Sequence, residues 1–213
     1  MYSPAHFKEA RVDILHQLIR EYPLGTLVTH TPAGLVADHI PFIIDPHPAP
    51  YGTLRGHVAR ANPVGKVHSA EIESMVVFQG PHSYITPAWY PGKKEHGKVV
   101  PTWNYAVVHA YGTLRMIDDA DWMRRFLEQL TDHAERTRLP SWKVSDAPED
   151  FVQANLRAIV GIEILLAKLL GKWKVSQNRP PEDRQGVAKG LQDMDTDNAR
   201  AMAKLVLSYH NKP

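Results

Sequence analysis

The chain has 213 residues, 25 Lys and Arg against 23 Asp and Glu, a formal charge of +2, a hydrophobic fraction of 43% and no cysteine. That length and balance suit one domain able to bury its own core, and they argue against disorder. The missing cysteines exclude disulfides, thiolate catalysis, iron–sulfur clusters and Cys-bearing zinc sites, and no Lys/Arg run exceeds two, so no charge footprint for nucleic acid stands out.

Residues 4–22 read as a helix: Phe7, Ala10, Ile14, Leu18 and Tyr22 recur at three- and four-residue spacing behind a Ser3-Pro4 start. Strand patterns follow at 25–31 and 35–44, joined by the hairpin-like "PAG", and again at 51–58 after "DPHPAP". Residues 59–68 form a short helix or turn broken near Asn62-Pro63. Two further strands are expected at 74–80 and 82–87, and "PAWYPGKKEHGKVVP" (87–101) has the composition of an exposed loop.

Residues 102–117 then alternate as a long strand, with Ala106, Val108, Ala110, Leu114 and Met116 on one face and Tyr105, His109, Tyr111 and Arg115 on the other. Gly112 marks a bulge or corner. Asp118 or Asp119 can cap a helix whose stripe is Trp122, Phe126, Leu130 and His133. A short helix at 148–156 leads into an apolar strand at 157–169, and residues 180–211 are helical, with Thr196 as a cap. Many strands on short links, with helices at the ends and one inserted, describe a mainly β chain with helical additions (α+β), closed as an antiparallel barrel. Neither a Gly-x-Gly-x-x-Gly nor a Walker loop is present.

Three stretches carry side chains that packing does not require. In "GHVARANP", His57 and Arg60 sit where a strand turns; a guanidinium fork and turn amides suit a phosphate, although a solvated surface turn would look the same. In "VPTWNY", Trp103, Asn104 and Tyr105 offer a flat surface and an amide, which fit either a ring ligand or a packed strand start; Tyr84, Trp89 and Tyr90 repeat the theme. "GKWKVSQNR" (171–179) places Lys172, Lys174 and Arg179 beside Ser176, Gln177 and Asn178, directly after an apolar run. As a strand it puts Lys172 and Lys174 on one face and Trp173 on the other. Donors in that number are costly to bury unless satisfied. The twelve histidines show no metal-ligand spacing, so no metal is expected.

Five motifs in order, "MYSPAHF", "GHVARANP", "FQGPHSYITPAWY", "VPTWNYAVVHAYG" and "GKWKVSQNR", resemble the PaiB family of FMN-binding negative transcriptional regulators. That family is similar to the split-barrel flavin proteins that include pyridoxamine-phosphate oxidase and flavin reductases. The resemblance implies an FMN-binding split β-barrel and a homodimer with the cofactor cleft at the subunit interface. It implies His57 and Arg60, and more weakly Arg55, at the phosphate; Trp103 and Asn104 at the ring or ribityl chain; and Lys174, Gln177 and Arg179 approaching from the second subunit. A DNA or other regulatory partner rests on the resemblance alone. Turnover is left open: an FMN-dependent oxidoreductase of flavin-reductase type and a haem-binding split barrel are the alternatives. The absence of a secretion signal or an apolar run of membrane length leads to a cytoplasmic expectation.

Overall fold

The computed structural model of the chain describes residues 1–67 and 72–209. Along these residues run β1 (Lys8–Glu9), α1 (Val12–Glu21), β2 (Leu24–Thr31), β3 (Gly34–Pro41), β4 (Ile43–Asp45), β5 (Thr53–Ala59), α2 (Val64–Val67), β6 (Ser74–Ile85) and α3 (Lys93–His96). The chain continues with β7 (Thr102–Ile117), α4 (Ala120–Glu135), α5 (Glu149–Ala158), β8 (Ile159–Lys174), α6 (Pro181–Asp193) and α7 (Asp197–Ser208). The strands follow the order β3-β2-β6-β7-β8-β5-β4, with β1 added against β8. The α+β class expected from the sequence is the one that forms.

Two compact units divide the chain, and β6, β7 and β8 each contribute one end to each unit. One unit takes Met1–Leu15, Gln79–Val108 and the chain from Leu170 on; the other takes His16–Phe78 and His109–Leu169.

In the second of these, β2 and β3 form the expected hairpin, closing Thr31 against Gly34. Gly34 has φ +112°, which any side chain would resist. Inward positions of alternating strands supply Leu27, Ile40, Ile44, Leu54, Val58, Val76 and Phe78, and Phe42 joins them from the break between β3 and β4, all buried. A separate apolar cluster joins α4 to α5 through Met123, Phe126, Val144, Val152 and Leu156. Each such side chain withdrawn from water contributes about 1.5–3 kcal/mol. Asp119 is the cap of α4, accepting the Trp122 amide at 2.8 Å.

In the first unit, α6 and α7 pack through Val187, Leu191, Met202 and Val206, which are fully buried. Thr196 caps α7 by accepting the Ala199 amide at 3.2 Å. Gly186 and Gly190 on α6 admit Trp89: a Cβ on Gly190 would stand 2.3 Å from the indole, and one on Gly186 would stand 2.0 Å from the Trp89 carbonyl.

Several boundaries differ from the sequence expectation. The helix expected over 4–22 occupies only Val12–Glu21. Ahead of it, Lys8 and Glu9 pair with Lys172 and Gly171, and the Glu9 carboxylate takes the Arg11 amide at 2.9 Å. Pairing to β8 prevails over about two more helical turns. The strand expected over 35–44 breaks at Phe42, whose amide turns to the Pro23 carbonyl at 2.9 Å.

The strands expected at 74–80 and 82–87 are one, β6, running through Pro81. Its ladder with β2 covers only Met75–Val77, so the missing proline amide interrupts no bond there. Gly112 lies inside an unbroken β7, where a Cβ would come within 2.0 Å of the Leu165 carbonyl; close approach of two backbones explains it, not a corner. Strand β8 continues past 169 through Lys174, so "GKWK" belongs to the strand itself. The 59–68 and 180–211 segments extend by one and two residues beyond the described residues.

Candidate functional site

The stretch "GKWKVSQNR" lies in the first unit and is fixed from within. Trp173 and Val175 point inward and are buried, as is Ser176, which holds φ +63°. A non-glycine residue in that region needs support. Gln177, 1% exposed, supplies it: its Oε1 accepts the Val175 amide at 2.8 Å, and its Nε2 donates to the carbonyls of His6, at 3.0 Å, and Trp173. Asn104, equally buried, donates to Ser176 Oγ at 2.9 Å. The amides of Asn104 and Gln177 are therefore satisfied inside the unit.

Trp103, one position before Asn104 on β7, faces the other way and is 55% exposed. His82 stacks near it at 6.3 Å between centroids and Tyr84 meets it edge-on at 6.1 Å. The result is a surface aromatic group able to take a flat ring. Lys174 borders it, donating to the Trp103 carbonyl at 2.6 Å and to the Thr102 hydroxyl. Burial, then the charges of Lys172 and Arg179, push the Lys174 ammonium below its ordinary pKa.

Arg179 sits with its guanidinium 5.0 Å from the centre of the Tyr90 ring. Its side chain is also placed to hydrogen-bond the Tyr90 hydroxyl. Tyr90 itself is 2% exposed. Burial pushes that phenol up, Arg179 pulls it down and Asp183 adds to the rise. Asp183, itself buried, turns its Oδ1 to the Gly92 amide at 3.1 Å.

In the other unit Arg55, His57 and Arg60 lie on or just after β5. Both arginines are occupied. Arg55 donates to Glu163 at 3.0 Å and pairs with Asp45 at 3.0 Å, while Arg115 takes the second Glu163 oxygen. Burial would raise the Glu163 carboxyl, but Arg115 and Arg55 outweigh it and hold the group below its usual range. Arg60 grips Asp118 through two bonds of 2.9 and 2.7 Å, and donates to the carbonyls of Arg157 and Ile159 at 3.0 and 3.1 Å. It borders a cleft of about 260 Å³ that Asp118, Met123, Leu156 and Arg157 also line. His57 stands edge-on to Phe126 at 5.8 Å, with its Nδ1 buried and unpartnered, and burial lowers its pKa.

The sequence expectation set Trp103 and Asn104 at the ring and brought Lys174, Gln177 and Arg179 from a second subunit, whereas here Lys174 lies against Trp103 of its own chain, in the first unit. It missed the contact of Arg179 with the buried Tyr90, the His82 stack on Trp103 and the role of Glu163. A lone acid inside the apolar run "AIVGIEILLAKLL" was the available signal for Glu163, since a buried carboxylate demands cations.

Comparison with known proteins gives the family and the fold. Residues 1–168 match the family model described as "Putative FMN-binding domain". The protease synthase and sporulation protein PAI 2 of Bacillus subtilis is 32% identical, over 97% of this chain and 96% of its own. An uncharacterised Emericella nidulans protein is 37% identical over the same shares. Among solved structures, the flavocytochrome Anf3 from Azotobacter vinelandii superposes with a TM-score of 0.58 at 10% identity, covering 78% of this chain and 69% of that one. The relatives carry the match through the 171–179 stretch that the family model leaves out. The chain belongs to the PaiB family of FMN-binding split-barrel proteins, and its cofactor is FMN.

Proposed function

We propose that the protein is a homodimeric, cytoplasmic flavoprotein that regulates through its FMN-bound state; a regulatory role is in keeping with the name of its Bacillus subtilis relative, which ties that protein to protease synthesis and sporulation. The observation that carries the FMN part is the pairing of an exposed ring surface at Trp103 with the cationic side chain of Lys174 beside it and that of Arg179 close to Lys174. FMN is a flat ring joined to a dianionic phosphate, and the residues present fit both of its ends. When bound, it supplies hydride or single-electron chemistry, while the protein supplies position and charge.

In this reading Trp103, with His82 and Tyr84, offers a stacking surface, Lys174 and Arg179 of the same chain offer cationic donors, and the second copy closes the cleft. Asn104 and Gln177, their amides already bonded, hold the turn that carries Lys174 and Arg179 rather than touching the flavin. His57 keeps a ring nitrogen free for a hydrogen bond. Arg55 and Arg60 can serve a phosphate only by sharing it with Glu163, Asp45 or Asp118.

The experiment is retention of added FMN through gel filtration, with the molar mass measured by ultracentrifugation with and without it. One FMN per chain and a mass of two chains support the reading. A monomer that keeps FMN removes the shared cleft. Regulation is tested apart from this by transcript levels in cells carrying the wild type or a variant that no longer retains FMN; equal profiles would remove the regulatory part.

A further inference from the structure

We infer that Asn198, in the first turn of α7, is a positioning residue for the ring surface at Trp103. Its side-chain amide sets the backbone of His82, and through it the imidazole that lies beside the indole. The inference rests on the reading of that surface as the flavin's ring site. It concerns a part of the chain beyond residue 168, where the family model ends.

Along β6 the side chains of Ser83 and Ile85 are buried, while those of His82 and Tyr84 are exposed on the opposite face. These two outward rings are the ones that meet Trp103. The strand is weakly tied on one side here: its ladder with β2 ends at Val77, and Pro81 has no amide to donate. Asn198 makes up the deficit. Its Oδ1 accepts the His82 amide at 3.2 Å, and its Nδ2 donates to the His82 carbonyl. A carboxamide carries donor and acceptor side by side, as a peptide unit does, so it can meet the N–H and C=O of one residue together.

The imidazole has no stronger hold of its own. Its Nδ1 lies 3.3 Å from Gln79 Nε2 and 3.4 Å from the Gly80 carbonyl, both at the long edge of hydrogen bonding. Its place beside Trp103 therefore follows the backbone that Asn198 holds. Asn198 is itself firmly seated, because Thr196 caps α7 and Met202 and Val206 bury that helix against α6. Helix α6 in turn seats Trp89 against Gly186 and Gly190, and its Asp183 accepts the Gly92 amide at 3.1 Å. One helical pair thus grips the chain at His82, Trp89 and Gly92, and the grip at His82 is the one that bears on the ring surface. Both Asn198 bonds are exposed to water, so they add little to stability; what they fix is placement.

The test is a double-mutant cycle in the full chain, with Asn198→Ala, His82→Ala and the two combined, each checked for its thermal midpoint. Each protein is titrated with FMN and with riboflavin, which has the ring without the phosphate. Asn198→Ala should weaken both flavins by the same factor, about threefold to tenfold, as loss of an aromatic contact would. Asn198→Asp, which keeps the acceptor and loses the donor, should fall in between. On the His82→Ala background, Asn198→Ala should cost nothing further. A second readout needs no ligand. The His82 imidazole protons, assigned by their loss in His82→Ala, should carry a ring-current shift from Trp103 that shrinks in Asn198→Ala. A wild type that binds neither flavin would reject the FMN reading, and a shift that still shrinks in Asn198→Ala would then uphold the clamp. Equal flavin affinities in wild type and Asn198→Ala, a full second loss on the His82→Ala background, or an imidazole shift unchanged in Asn198→Ala would overturn the positioning role.

Discussion

At the scale of single residues, the chain's arginines divide by what they already hold. Arg55 and Arg60 are bound to carboxylates and carbonyls, whereas Arg179 is bound to none, though all three look alike in the sequence. The same contrast separates Gln177 from the ligand surface. Gln177→Ala strands the Val175 amide and two carbonyls, so stability should drop by about 1–3 kcal/mol in urea unfolding. A second residue-scale outcome concerns pH. Burial opposes ionisation of Glu9, but hydrogen bonds from Arg11 and Tyr209 outweigh it and hold the carboxyl at about 2, against an ordinary 4.5. Its contribution is complete above pH 4.5 and is lost as the pH falls through about 2. Burial and Glu9 push the Tyr209 phenol up to about 12, so its share is complete below pH 10 and lost as the pH rises through 12. Wild type should exceed Glu9→Gln by about 2 kcal/mol at pH 7, allowing for the exposure of Arg11, and the gap should close by pH 2.

At the scale of elements, β7 was legible to the residue because its alternation is long and uninterrupted: the expected 102–117 is the observed Thr102–Ile117. The end of β8 was not, because two lysines and a tryptophan look like a surface ending unless one knows that β1 pairs there with Gly171 and Lys172. The start of α1 was misread for the same reason, since helical spacing at Phe7 and Ala10 says nothing of a partner strand far along the chain. Helix α6 shows the converse. Its glycines would ordinarily weaken a helix, and only the indole of Trp89 explains why they are there. Gly190→Ala should therefore destabilise by about 1–3 kcal/mol, whereas alanine would stabilise an exposed helical position. Thermal unfolding of that variant distinguishes the two.

At the scale of the whole molecule, class and family were readable from ordered motifs, while the division into two interleaved units was not. No local pattern reveals that Gln79–Val108 belongs with the chain from Leu170 on. The candidate site was half legible. Residue types announced Trp103, Lys174 and Arg179, but side-chain direction decided the rest: adjacent Trp103 and Asn104 face opposite ways on β7, so one is presented and the other is structural. No described helix is long and apolar enough to cross a membrane. The central claim is that the first unit's aromatic and cationic groups hold FMN. Equilibrium titration of the flavin-free protein with FMN, followed by flavin fluorescence in the wild type and Arg179→Ala, tests it most directly. The account predicts saturation at one FMN per chain and an affinity about tenfold weaker in the variant. Saturation with equal affinity in both proteins, or none in the wild type, would contradict it.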